Sequence, residues 1–531
     1  MSVTGGGAQT GYPAGMIARA GARFLAVVVV MAGGRALAAD PPAAPSTHGV
    51  GAPEGAGAAR VTREDAAGDA LPDDDAAPFP DARFGPRYVI EDVLIRGNRK
   101  TEKSLILREL AALGLAAGAN VDASDPRVET ARYRLLALGF FLDVRLSVTR
   151  GAKRGGAVLV VEVDERGTLV INELFPATSE ATMFWGGADL SETNFLGRGI
   201  NLGAGFVAST KPVVEDATSG LGLRLHIGVP PLGGPNGLSL SLTGLYNDGS
   251  EFYRALGEDG DADPADFVAT RVRRAGGLLA VGKMLPAGFH ATVSFREEEI
   301  ATTLPALQTR TLPSGLGAPI DFMVKNGASR VGTLAASLDL DTRSDPILPR
   351  SGMRIALSVE AGSKLLGSSY DYVKTVLDGS FYKAMPRGHA LGFHVFAGAI
   401  AGDAPYFDRF FVGDLNLLLP RRALGMNFST QPSPNLLGTN VAHHRYDNFA
   451  GRLLVEYAVP IWRRRGLVYG GDAFVAAGLL GMASDGDFTA PGPFSLSSLP
   501  IDLTGDLGLR LDTYVGVFTI SIANALSRSS F

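Results

Sequence analysis

From about Gly167 onward, apolar and polar positions alternate along the chain. Leu238-Ser-Leu-Ser-Leu-Thr-Gly-Leu245 and Val517-Phe-Thr-Ile-Ser-Ile-Ala523 place apolar residues at every second position. Small or polar residues fill the positions between. A period of two puts the two kinds of side chain on opposite faces of a strand. Fifteen such segments are predicted, beginning Gly167–Phe175, Met183–Asn194 and Gly199–Ser209 and ending Leu467–Leu480, Ile501–Asp512 and Tyr514–Ala525. Most reach the roughly 9–11 residues that a membrane-spanning strand needs. No long helical stretch interrupts them. The plainest unit is a hairpin from Ser337 to Gly362, whose turn reads Asp341-Thr-Arg-Ser-Asp-Pro-Ile-Leu-Pro-Arg-Ser-Gly352.

One apolar and one polar or small-residue face suit a wall between lipid and a wet lumen. The expectation is an all-β transmembrane barrel of about 16 antiparallel strands. Closed bacterial barrels usually have an even number. A sixteenth strand is therefore expected between Met482 and Leu499, unless the chain stops one strand short. Ser527, Ser529 and Ser530 weaken the alternation before the terminal Phe531.

The residues before the barrel follow a different rhythm. Tyr88–Arg96 reads as a strand, and Gly97-Asn98 turns it. Thr101 is placed to cap a helix from Glu102 to Leu110. Asp125-Pro126 starts a second helix, with Val128, Ala131, Leu135 and Leu138 at helical spacing and Gly139 closing it. Phe140–Val148 and Val158–Val163 are two further strands. Residues 87–166 thus form a small α+β domain ordered strand, helix, helix, strand, strand. Upstream, Arg19 and Arg23, the apolar run Phe24–Ala32 and Ala36-Leu37-Ala38 make residues 1–38 a cleavable export signal. Residues 39–86 are rich in Ala, Pro, Gly and Asp, with little to bury, and read as a flexible linker.

Composition narrows the chemistry. The 531 residues carry a net charge of only -5, which implies no nucleic-acid partner. The 68 glycines exceed the about 7% of average composition and suit tight turns and curved strands. With no cysteine, neither a disulfide framework nor a thiolate metal site exists. Asp73-Asp74-Asp75 reads as a solvated run in the linker. His443-His444 near Asp447 lacks a third ligand at metal spacing. Gly5-Gly6-Gly7 precedes the apolar signal segment rather than a phosphate-binding helix. No Gly-x-Ser-x-Gly elbow is present. No cofactor and no catalytic residue is predicted, and the chain is expected not to be an enzyme.

Two groups of motifs carry a family resemblance. Ile95-Arg-Gly-Asn98, Leu138-Gly-Phe-Phe-Leu-Asp-Val144 and Val161-Glu-Val-Asp-Glu165 make residues 87–166 resemble a POTRA domain. Residues 167–531 resemble the barrel of the BamA/TamA-type outer-membrane assembly superfamily. Gly187–Gly199 is similar to its early hairpin, and Asp341–Gly352 to its central turn. Asp408-Arg-Phe-Phe-Val-Gly413 is similar to the start of its long loop, and Gly508–Gly516 to its late hairpin. The central-turn residues singled out are Asp341, Arg343, Asp345, Pro346 and Gly352.

The resemblance implies that the long loop, residues 402–447, folds into the lumen. Its cationic tip would clasp carboxylates on the inner wall. Here the matching stretch is Leu419-Pro-Arg-Arg-Ala-Leu-Gly425, so Arg421 or Arg422 is the expected cation. Glu456 matches one wall carboxylate. The second is expected in a Phe-x-Asp-x-Gly pattern, which here reads Phe474-Val-Ala-Ala-Gly478. Asp472, four residues before Ala476 and on the same strand face, is expected to substitute. Ordinary lumen charges without a clasp are the alternative.

The resemblance further implies a bacterial outer-membrane insertase or translocase, with its small domain in the periplasm. Its partners would be unfolded outer-membrane or secreted client proteins and outer-membrane lipids. Accessory lipoproteins and periplasmic chaperones are candidate partners too. Two alternatives stay open, a passive porin-like channel and a barrel enzyme such as a lipase.

Overall fold

A computed structural model of the chain describes residues 88–523, except 123–124, 233–236, 258–259, 286–287, 313, 346, 416–420, 433–435, 444, 464–466 and 488–499. The expected signal peptide and linker, Pro346, His444 and Phe531 lie outside the described residues.

The small domain contains β1 (Tyr88–Arg96), α1 (Lys103–Ala111), β2 (Asn120–Val121), α2 (Pro126–Ala137), β3 (Phe141–Arg150) and β4 (Gly156–Glu165). Its sheet order is β2-β1-β4-β3, with β1 and β4 parallel and the other pairs antiparallel. Leu105, Ile106, Leu110 and Leu135 from the helices bury against Ile90, Val144, Leu159 and Val161 from the sheet. The second helix begins as its sequence requires. Asp125 accepts a hydrogen bond from the Arg127 N–H at 2.9 Å, and Pro126 occupies the first turn.

The first helix departs from expectation. Its cap is Glu102, with no side-chain capping bond. Thr101 is used elsewhere, because its hydroxyl accepts a hydrogen bond from Asn194 Nδ2 of the barrel at 2.9 Å. Contact with the second domain has taken the side chain that would have capped the helix.

The barrel is one meander. Its wall strands are β5 (Leu169–Leu174), β6 (Trp185–Phe195), β7 (Ile200–Ser209), β8 (Leu221–Leu232), β9 (Leu238–Arg254), β10 (Phe267–Met284) and β11 (Phe289–Thr303). A short hairpin of β12 (Thr309–Thr311) and β13 (Gly317–Pro319) follows. The wall resumes with β14 (Gly327–Asp341), β15 (Gly352–Gly362), β16 (Tyr372–Ala384) and β17 (Ala390–Gly402). Two-residue strands β18 (Phe410–Phe411) and β19 (Tyr446–Asp447) pair within the long loop. The wall ends with β20 (Phe449–Arg463), β21 (Val468–Ala483), β22 (Ile501–Thr513) and β23 (Gly516–Ala523).

Fifteen wall strands follow one another as neighbours, and each pairing is antiparallel. No sixteenth wall strand appears among the described residues. Where one was expected, β21 continues to Ala483 and a turn follows. Strand β9 runs six residues past the predicted Asp248 boundary, to Arg254, with Glu251, Phe252 and Tyr253 buried near its end.

The two faces separate as the alternation requires. On β8, Leu221, Leu223, Leu225 and Ile227 are exposed outward, while Gly222, Arg224 and His226 form the intervening face. Among the described residues no helix is long and apolar enough to cross a membrane. Strands that pair with neighbours on both sides can cross because every backbone group then has a partner. The largest apolar cluster lies inside the barrel. Tyr406, Phe407, Phe410 and Phe411 of the long loop pack there on Val272, Ile300, Val331 and Ile400 from the wall.

Candidate functional site: the lumenal loop and the seam

The loop after β17 is held at its base by a buried ionic centre. Arg296, inward on β11, grips Asp408 with two parallel bonds, Nη1–Oδ1 at 2.9 Å and Nη2–Oδ2 at 2.8 Å. The same guanidinium reaches Glu360 of β15 at 2.9 Å and the Tyr372 hydroxyl of β16 at 2.9 Å. That hydroxyl lies 2.8 Å from both Glu360 and Asp408. Lys374 Nζ donates to the Asp408 carbonyl at 2.7 Å. Beside it, Arg274 of β10 pairs with Glu298 of β11 at 2.7 Å, its guanidinium 3.8 Å over the Phe407 ring. A forked cation matches a carboxylate, and exclusion of water strengthens the match. Gly398 completes the seat, since a Cβ there would meet the Phe410 ring at 2.2 Å.

The tip is held differently. Ala423 and Met426 close a tight turn, N–O 2.8 and 3.0 Å, with Leu424 at φ +50° and Gly425 at φ +81°. Leu424, Met426 and Phe428 pack with Phe175, Trp185 and Val207. Phe428 stacks on Trp185 with ring centroids 5.4 Å apart. The facing wall is bare. A Cβ on Gly249 would lie 2.4 Å from the Met426 methyl, and one on Gly220 2.6 Å from the Phe428 ring. Two side-chain amides fix the position: Asn247 donates to the Leu424 carbonyl at 3.0 Å, and Asn427 to Glu251 at 3.1 Å.

The four residues expected to form the clasp are not brought together. Arg422 pairs inside its own loop with Asp414 (Nε–Oδ2 3.1 Å) and donates to the Phe407 carbonyl at 3.2 Å. Arg421 is exposed and has no hydrogen-bonding or ionic partner among the described residues. Glu456 receives both Nη groups of Arg510, at 3.0 and 2.8 Å, from β22 two strands away. Asp472 is paired with Arg350 of the central turn. The physical reason is supply: wall and turn already provide cations to these carboxylates. The loop in turn offers an anion, Asp408, to a wall cation. Asp408 opens the loop motif Asp408–Gly413, where the local pattern gives its charge no role. Arg274 and Arg296 were missed altogether. Their shared phase with the inward positions of β10 and β11 is the signal that points to them.

Of the central-turn residues, Asp341, Arg343, Asp345 and Gly352 are described and lie in one turn. Arg343 Nε and Nη2 reach Asp341 at 2.9 and 2.6 Å, and Asp345 accepts from the Ile347 and Leu348 N–H groups at 2.7 and 3.2 Å. Gly352, at φ +92°, passes so near the chain that a Cβ would sit 2.2 Å from the Thr342 carbonyl oxygen. This self-bonded turn presents Arg350 to Asp472. Among the described residues no group of three or more His, Cys, Asp or Glu could hold a metal ion.

Among the described residues the first and last wall strands meet only at their foot. Ile171 N donates to the Val515 carbonyl at 2.7 Å, and Gly167 abuts Tyr514. No pairing joins β5 to β23 among the described residues. Above the foot lies a cavity of about 700 Å³, lined by Ile171–Thr178, Val517–Thr519 and loop residues including Arg421.

The small domain sits at the same foot. Arg166 binds Asp512 of β22 at 2.8 Å. Glu102 N–H donates to the Gly197 carbonyl of the β6–β7 turn at 2.9 Å. Glu165 accepts from the N–H groups of Arg99, Lys100 and Thr101 at 3.0, 2.9 and 2.7 Å. Burial pushes its carboxyl up. The hydrogen bonds from Lys100, Thr101 and Arg99 outweigh this and bring it below its usual value.

An antiparallel barrel plugged by an inward-folded loop, with an α+β domain at the foot of its seam, defines a class of outer-membrane β-barrel proteins. The Omp85 superfamily domain matches residues 194–480. The chain belongs to the Omp85 superfamily. No curated protein matches it. Among solved structures it is similar to BamA from Haemophilus ducreyi lacking POTRA domains 1–3, with 14% identity, 83% of this chain and 82% of that one covered, and a TM-score of 0.45. CdiB from Escherichia coli is similar at 9% identity, 82% and 86% coverage and a TM-score of 0.45. CdiB from Acinetobacter baumannii is similar at 10% identity, 80% and 67% coverage and a TM-score of 0.45. The family assignment rests on the domain match.

Proposed function

We propose that the chain is an outer-membrane insertase or translocase that assists the assembly or secretion of β-barrel or exported proteins. The observation that carries this reading is the seam. A wall strand normally gives its backbone groups to two neighbours, yet among the described residues β5 and β23 form no ladder and are joined at their foot by one backbone hydrogen bond, Ile171 to Val515. Unpaired edges are costly in hydrocarbon. They are useful where an incoming strand must pair before it meets lipid. No bond is made or broken in such a step, and the chain acts without a cofactor or chemistry of its own.

Residues 87–166 act as a POTRA-like receiving module in the periplasm. Strand β3 lies at the edge of its sheet, with no further strand beside it among the described residues. An extended client can add to such an edge. A rigid spacer is the plainer reading of this domain. A passive channel is disfavoured because the aromatic base of the loop occupies the lumen.

Depletion of the protein tests the proposal. Levels of particular outer-membrane barrels or secreted proteins are expected to fall. Unchanged levels of all of them, with solute-selective conductance in planar bilayers, would replace it with the channel reading.

A further inference from the structure

The outward apolar band has a definite upper edge on β11 and β14. Its last exposed apolar residues there are Phe295 and Leu334, which pair in register. The next outward pair is Glu297 and Gly332. Beyond it come Glu299 and Arg330, an exposed ion pair at 2.7 Å. Apolar surface gives way to charge within two steps along the strands. The boundary between acyl chains and headgroups therefore falls beside Gly332.

The loop from β15 to β16 is folded over this boundary. A Cβ on Gly332 would lie 2.1 Å from the Leu366 carbonyl oxygen, so glycine is what lets the loop down onto the outward face. Two bonds tie the loop to β14. Ser369 N–H donates to the Arg330 carbonyl at 2.8 Å, and Arg330 N–H donates to Ser369 Oγ at 3.0 Å. Lys364 N–H donates to Asp371 at 3.0 Å, and Gly367 turns the chain at φ +79°. Tyr370 is buried, and its hydroxyl accepts from Lys325 N–H at 3.1 Å. The loop is held on every side but one.

On that side stands Leu365, the middle residue of the single helical turn Lys364–Leu366. It is 97% exposed. An apolar side chain bare to water forgoes the gain of burial. A lone leucine flanked by exposed Lys364 and Gly367 offers too little area for a stable protein partner, whose interface covers about 1,000 Å² or more. It does continue the surface that ends at Leu334 and Phe295, and that surface faces lipid.

We propose that the β15–β16 loop is a membrane-interface anchor, with Leu365 immersed among the outer-leaflet lipids where headgroups meet acyl chains. Strand β14 is eighth of the fifteen described wall strands, so the anchor lies opposite the seam and fixes the depth of that side of the rim. The anchor is independent of the assembly reading above.

Cysteine is absent from the chain, so single introduced thiols carry a fluorophore at one place. Three variants of the full chain, each bearing an environment-sensitive label, are compared in phosphatidylethanolamine–phosphatidylglycerol vesicles. Leu357→Cys lies outward within the band on β15, and Leu365→Cys is the anchor. Leu256→Cys lies beyond the end of β9, twelve residues past Gly244, which shares the register row of Gly332 through Gly277 and Glu297. Emission is expected at the shortest wavelength from position 357, intermediate from 365 and water-like from 256. A lipid with its nitroxide near the headgroup is expected to quench position 365 most. Gly332→Ala, combined with Leu365→Cys, is expected to lift the loop and shift that emission toward the water-like value. Combined with Leu357→Cys it is expected to change nothing.

Water-like emission at 365, with iodide quenching equal to that at 256, overturns the anchor. So does shielding of 365 from both iodide and the nitroxide lipid, rising with the protein-to-lipid ratio, which would make a second copy of the chain the occupant. Unchanged emission at 365 in the Gly332→Ala background removes Gly332 from the proposal.

Discussion

The two ends of the long loop are held to the wall by opposite means. The base is ionic: Asp408 is gripped by Arg296, with Glu360, Tyr372 and Lys374 around it. The tip is apolar: Leu424, Met426 and Phe428 pack on Phe175, Trp185 and Val207 and against the wall glycines Gly220 and Gly249. A buried charge cluster is costly to break, because removing one member strands the rest. A greasy tip on a smooth wall loses energy in small steps as area is exposed. The difference teaches which part of the loop is fixed and which part can be withdrawn.

The sharpest way to break the comparison is at the base. Arg296→Met leaves Asp408 and Glu360 without their main cation. It is expected to destabilise the barrel by about 3–5 kcal/mol, read as a lower denaturant midpoint in detergent. An unchanged midpoint would remove the ionic base from the account. At the tip, Met426→Ala opens space against Gly249 and is expected to cost about 2–3 kcal/mol. Accelerated proteolysis confined to the loop tip should accompany it, with the base still protected. Simultaneous exposure of both ends would show one cooperative unit.

The smallest effect on the loop is expected from Arg422→Ala. Its partner Asp414 is 38% exposed, so the pair is worth about 0.5–1 kcal/mol by the same denaturation measurement. A loss as large as that of Arg296→Met would reinstate Arg422 as the principal cation of the loop.

The domain junction supplies a control outside the lumen. A lowered carboxyl stabilises the fold above its unfolded pKa and loses that contribution as pH falls through the folded value. Hydrogen-exchange protection at Arg99, Lys100 and Thr101 is expected to hold at neutral pH and to be lost as pH falls below the ordinary glutamate value and through the lower folded one. Glu165→Gln should give weak protection with little dependence on pH. A flat, strong profile in the unmodified chain would remove Glu165 from the junction.

Strand positions were largely legible in the sequence because an alternation of period two is local. Leu238 to Leu245 announces β9 without help from the rest of the chain. The order of the small domain was legible for the same reason. The ion pairs were not. Glu456 and Arg510 are 54 positions apart and meet only because β20, β21 and β22 lie side by side. Asp472 finds Arg350 across 122 positions. Resemblance assigned the loop an arginine for these carboxylates, and local pattern contained nothing to contradict it. Thr101 shows the same limit on a smaller scale, since only a docked Asn194 explains why it caps no helix.

Leu424 adds a last point. A left-handed backbone conformation costs a leucine about 1–2 kcal/mol relative to the right-handed one, and the contacts of its side chain with the wall offset that cost. Lifted from the wall, the residue is free to relax. The turn therefore works like a bent spring, whose recoil returns part of the energy spent in pulling it loose.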